Sequence, residues 1–140
     1  MLEVFVDSGF WCATALRGRT DVDRERHERA GATLRQLIRS GTRLVTTNLV
    51  LAETHQLLLI RDRRDTALAF LRAFPAPGTD VVPSTAELEA EALADWIEKY
   101  DDQDFSLADA VSFALMKRRR IRRALAFDRH FAAAGFEMLP

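Results

Sequence analysis

Four acidic side chains stand where they could be drawn together. Asp7 directly follows the apolar run Val4-Phe5-Val6, and Asp128 follows Leu125-Ala126-Phe127. Glu53 has Leu49, Val50, Leu57 and Ile60 at i−4, i−3, i+4 and i+7, so on a helix its carboxylate shares the apolar stripe. Asp109 lies three residues after Ser106, the spacing of a capping box with an acid in place of the usual Glu or Gln. Each residue also has an ordinary structural use. Asp7 and Asp128 suit turns or N-caps, Asp109 suits a cap, and Glu53 could pair with an arginine.

The coincidence of the four carries more than any one of them. Two like charges 4 Å apart repel by about 4 kcal/mol at an effective dielectric of about 20. Several such pairs would rival the total stability of a domain, about 5–15 kcal/mol. A divalent cation relieves that repulsion, and an all-oxygen donor set favours Mg²⁺ or Mn²⁺ over zinc. Mg²⁺ held by a few carboxylates keeps waters and accepts phosphate oxygens, which suits hydrolysis of a phosphodiester.

The elements that must position these acids follow from hydrophobic patterning. Strand-like runs occur at Leu2–Val6, Arg43–Thr46, Asp80–Val82 and Ala124–Phe127, with a weaker one at Phe136–Leu139. Helical patterns cover Glu25–Arg39, Asn48–Arg61, Thr66–Phe74, Ala86–Tyr100, Ser106–Arg119 and Arg129–Ala134, the last closed by Gly135. Pro75-Ala76-Pro77-Gly78 stops one helix before the third strand. Short apolar strands alternating with helices predict right-handed crossovers and a parallel sheet covered on both faces. Connections are short and no boundary interrupts them, so residues 1–140 read as one domain. In such a sheet, ligands bind beyond the carboxyl ends of the strands.

With these residues in place, the chain resembles the PIN-domain family, and more closely its VapC-type ribonuclease toxins. The resemblance rests on Val4-Phe5-Val6-Asp7-Ser8, Thr46-Thr47-Asn48-Leu49-Val50-Leu51-Ala52-Glu53-Thr54, Asp104-Phe105-Ser106-Leu107-Ala108-Asp109-Ala110, and Ala126-Phe127-Asp128-Arg129-His130-Phe131 leading to Gly135-Phe136. It implies a three-layer α/β/α fold with about five parallel strands in the order 3-2-1-4-5. It also implies an endoribonuclease that uses Mg²⁺ or Mn²⁺, forms a homodimer and is neutralised by a cognate antitoxin. Asp7, Glu53, Asp109 and Asp128 match the family's acidic quartet, and Asp104 matches an accessory acid. Asp7, Asp109 and Asp128 would be metal ligands, while Glu53 would ligate metal or orient the attacking water. Ser8 and Ser106 would support them. Gly9 departs from the pattern, since relatives commonly carry Ser or Asn there, and implies slightly looser support of the first acid.

Composition narrows the alternatives. The chain has 140 residues and a formal net charge of −1, which argues against gripping RNA by bulk charge alone. Its single cysteine, Cys12, the lack of a signal-peptide pattern and apolar runs of at most five residues predict a soluble, cytoplasmic protein with no membrane partner. The 20 basic residues are all arginine except Lys99 and Lys117, a bias that gene base composition produces as readily as phosphate recognition does. The run Lys117-Arg118-Arg119-Arg120-Ile121-Arg122-Arg123 reads as a solvated, dipole-matched helix end rather than an RNA contact. Arg61-Asp62-Arg63-Arg64 reads the same way. His27 and His130 have no paired spacing and read as surface or structural residues, while Trp11 and Trp96 read as core or interface. Two other readings stand beside the toxin: a PIN-type nuclease of RNA processing without an antitoxin, and a non-catalytic acidic α/β binding module. A receiver domain would need a lysine at a late strand end. A haloacid-dehalogenase-type phosphatase would need an acid where Gly9 stands.

Overall fold

In the computed structural model, which describes residues 2–139, five parallel strands form one sheet in the order β3-β2-β1-β4-β5. The strands are β1 (Glu3–Val6), β2 (Arg43–Thr47), β3 (Thr79–Val82), β4 (Arg123–Leu125) and β5 (Glu137–Leu139). Seven α-helices accompany them: α1 (Ser8–Ala15), α2 (Asp21–Arg39), α3 (Asn48–Arg61), α4 (Arg64–Arg72), α5 (Ala86–Ala92), α6 (Leu107–Arg119) and α7 (His130–Ala133). The helices pack as two groups, α1 with α2 and α3 and α3 with α4 in one, α5 with α6 in the other. This is the three-layer arrangement expected from the alternating pattern. The central strand β1 carries Val4, Phe5 and Val6 with no solvent exposure, as a strand covered on both faces requires. No described helix is long and apolar enough to cross a membrane.

Three local differences from the expected elements matter. Helix α2 starts at Asp21 rather than Glu25, because Thr20 and Asp23 form a reciprocal capping box that gathers the charged first turn into the helix. The helix expected over Ala86–Tyr100 gives way after Ala92 to a π-helical turn, Leu93–Glu98, which buries Trp96 against Phe113 and Phe136. Strand β4 ends at Leu125, so Phe127 is not part of it and Asp128 does not stand at the strand terminus. Instead, four residues separate the strand from α7, and Asp128 is carried in that connection.

Candidate active site

Beyond the carboxyl ends of β1, β2 and β4, the charges of Asp109, Glu53 and Asp128 act on Asp7, so the four acids form one acidic crevice. Asp7 leaves β1 as the N-cap residue of α1, yet its side chain makes no cap hydrogen bond. Its carboxyl group is 4% exposed and its pKa is pushed up to about 7. Burial is the largest cause; the nearby charges of Asp109, Glu53 and Asp128 add to it, and the Ser8 backbone N–H opposes it. That coupling brings together residues from four separate elements.

Glu53 projects from the second turn of α3, where Thr47 caps the helix by accepting the Val50 N–H at 3.1 Å. As its stripe position predicts, it is half-buried, and Ser8 Oγ donates a short hydrogen bond to Glu53 Oε1. Ser8 therefore links the first acid to the second. Among the described residues, no arginine forms the ion pair that was an alternative use for Glu53.

Asp109 is buried at the start of α6. Ser106 Oγ accepts its N–H at 3.0 Å, and its own Oδ2 accepts the Ser106 N–H at 3.2 Å. The cap and the functional reading thus coincide: the box fixes the direction in which the carboxylate points. Asp128 is more exposed, and its Oδ1 accepts the His130 N–H at 2.9 Å, a local turn bond.

His130, expected to be a surface or structural residue, belongs to this site. Its Nδ1 lies 3.2 Å from Asp109 Oδ2 and 3.4 Å from Asp128 Oδ2. The ring stands nearly perpendicular to Phe105, with centroids 5.3 Å apart. The signal available in the sequence was its place two residues after Asp128, which the Asp128 turn bond now explains. Asp104, by contrast, is exposed in the loop before Ser106, and it is absent from the charges that act on Asp7.

The donor set fits a divalent cation. One donor atom each from Asp109, Asp128 and His130 lie within 4.8 Å of one another. Among the described residues, no Lys or Arg nitrogen comes within 4.0 Å of any of the four carboxylates. Carboxylates gathered without a lysine or arginine partner are those a hard cation would neutralise. Gly9 leaves ordinary room beside the site: a Cβ there would come 3.7 Å from the Phe127 ring.

Comparison with known proteins agrees with this geometry. The PIN domain family profile matches residues 4–137. The 23S rRNA-specific endonuclease VapC20 of Mycobacterium tuberculosis is 35% identical over 133 residues, covering 95% of each chain. Ribonuclease VapC26 of the same species is 37% identical over 95 residues, covering 67% of this chain and 70% of that one. The crystal structure of VapC20, described as a sarcin–ricin loop cleaving toxin, superposes with a TM-score of 0.80 and 36% identity over 95% of both chains. FitAcB from Neisseria gonorrhoeae shares the fold, with a TM-score of 0.64 at 16% identity over 98% of this chain and 96% of that one. With a parallel sheet in this order and an acidic crevice at its carboxyl edge, the chain belongs to the PIN-domain family and, within it, to the VapC-type ribonuclease toxins.

Proposed function

We propose that this chain is a metal-dependent endoribonuclease toxin that hydrolyses RNA phosphodiester bonds at Asp7, Glu53, Asp109 and Asp128. The observation that carries the reading is the convergence of these acids from four elements around a buried Asp7, without an arginine or lysine to neutralise them. Asp7, Asp109 and Asp128 would hold Mg²⁺ or Mn²⁺, and His130 Nδ1 would orient the last two carboxylates. The bound ion would orient water and offset charge on the phosphate. Glu53, which accepts the Ser8 Oγ hydrogen bond, would orient the attacking water and take its proton as its oxygen bonds to phosphorus. The ester P–O bond then breaks, and the leaving oxygen takes a proton from surrounding water, leaving two shorter RNA strands. Asp104, exposed nearby, serves at most as an accessory acid.

The relative named for 23S rRNA makes large-subunit ribosomal RNA the first substrate to test. We further propose that residues 1–140 act as one PIN unit, that the working form is a cytoplasmic homodimer, and that a cognate antitoxin restrains it. Purified protein incubated with defined rRNA and tRNA fragments should cut RNA with Mg²⁺ or Mn²⁺ and stop with EDTA. Cleavage that persists at full rate in EDTA would overturn the metal-dependent mechanism. Growth arrest on expression, relieved by a small neighbouring gene, separates a toxin from an RNA-processing nuclease. Binding without any cleavage would indicate the acidic binding module instead.

A further inference from the structure

A cleft of about 400 Å³ opens beside the acidic crevice, between α1, the α1–α2 turn, α2 and the carboxyl end of α3. That volume lies within the range of roughly 300–1,000 Å³ usual for small-ligand sites. Its floor is apolar, with Cys12, Leu16 and Phe127, and its rim carries Arg19, Arg26 and Arg61. Two lining residues tie it to the proposed site: Gly9 follows Ser8, and Phe127 precedes Asp128.

The charge of this cleft is opposite to that of the crevice. Among the described residues, none of the three arginines has a carboxylate oxygen within 4.0 Å. The one acid in the lining, Asp23, is engaged in the capping box with Thr20. Gly18, at φ +75°, lets the turn before Arg19 press against Asp23, where a Cβ could not fit. The Arg26 guanidinium lies over the Phe127 ring, 4.8 Å from its centroid, while Phe10 stacks with that ring at 6.0 Å. A guanidinium fixed over an aromatic ring is a planar cation on which a nucleobase can stack.

We propose that this cleft is the subsite for an RNA nucleotide flanking the scissile bond. Arg19 and Arg61 hold backbone phosphates, and the Arg26–Phe127 pair is the platform for a base. These are positioning residues, and the assignment deepens the ribonuclease reading on which it rests. It also places affinity for RNA in a local basic patch beside an acidic centre, in a chain whose net charge is −1.

The test uses a fluorescently labelled single-stranded RNA oligomer, titrated in EDTA by anisotropy at several salt concentrations. Arg19→Ala/Arg61→Ala should reduce the slope of log affinity against log salt by about 1.4, the value for two phosphate contacts on a single strand. Arg26→Ala and Arg26→Lys should both weaken binding, by at least about fivefold, because lysine keeps the charge and loses the plane. Arg120→Ala/Arg122→Ala removes the same charge at the other end of the sheet and should leave the slope unchanged. Circular dichroism melts confirm that each variant is folded. Wild-type protein that fails to bind, cleft variants that bind as wild type, or a control pair that loses as much would each overturn the proposal.

Cleavage with Mg²⁺ or Mn²⁺ separates this proposal from the broader reading. A raised KM with kcat retained in the cleft variants supports both. RNA binding that depends on the cleft, without any cleavage, keeps the cleft as an RNA-binding site but overturns both the nuclease and the cleft's place beside a scissile bond. Cleavage with KM unchanged in the variants keeps the nuclease and overturns the subsite.

Discussion

The two ends of the parallel sheet treat charge in opposite ways. At the amino end, Arg119 bridges Glu3 of β1 at 3.2 Å and Asp80 of β3 at 2.8 Å, and Arg118 pairs with Glu91 and Glu87. Acid meets base there, and half-exposed pairs of this kind contribute about 1 kcal/mol or less each. At the carboxyl end, Asp7, Glu53, Asp109 and Asp128 crowd together with His130 as their basic neighbour, and the most buried of them resists ionisation. One end is balanced within the chain, while the other is held in a repulsive state that a cation would relieve. In a domain with a margin of about 5–15 kcal/mol such a cluster subtracts from stability.

Replacing Asp7 tests that contrast most strongly, because activity and stability should move in opposite directions. Asp7→Asn should lower metal-dependent RNA cleavage by at least about a thousandfold, or about 4 kcal/mol of transition-state stabilisation. The same change should stabilise the metal-free protein. Asp7 has a folded pKa raised from 3.8 to about 7, so the folded state binds its proton more tightly than the unfolded state does. Its stabilising effect is complete below about pH 4 and is lost as pH rises to about 7, a difference of about 4 kcal/mol. Urea melts in EDTA should therefore show Asp7→Asn well above wild type at pH 8, with the gap closing toward pH 4. Equal stability at both pH values would mean that the cluster is not strained.

His130→Ala should have the next largest effect, lowering metal affinity or cleavage by about 10–100-fold, as expected for a group that orients ligating carboxylates. Isothermal titration with Mn²⁺ and cleavage rates at saturating metal would read the two contributions separately. Unchanged values in both would return the residue to a purely structural role. Arg119→Ala should have the smallest effect. It unpairs Glu3 and Asp80, so stability should fall by about 1 kcal/mol while cleavage keeps its wild-type rate. A large loss of activity from that change would erase the distinction between the two ends.

Much of this site is legible along the chain because it is built from local devices. An apolar run followed by an acid places Asp7 at the carboxyl edge, and the Ser106–Asp109 spacing is a capping box that also aims a carboxylate. Glu53 declares itself as a charge on an apolar stripe, and α3 spans Asn48–Arg61 as its periodicity predicts. The less legible parts depend on distant neighbours. His130 offers no spacing partner, and its role follows from α6 and α7 meeting at the crevice. Arg61 looks like any solvated helix end until α1 and α2 close a cleft around it. Arg118 and Arg119 read as solvated until α5, β1 and β3 supply acids to pair with them.

By itself, then, the sequence determined the types of residue, their places at strand ends and helix starts, and the alternation that makes the sheet parallel. Those are properties of dihedral preference and hydrophobic period, which act over a few residues. The tertiary structure decided which charges face one another. Ser8 reaches Glu53 across 45 residues, and Arg119 reaches Glu3 across 116. Coulomb energy depends on distance in space, and the order of the strands sets that distance. The same near-zero net charge could have been spread evenly over the surface; the fold concentrates the acids at one crevice and sets three arginines beside it.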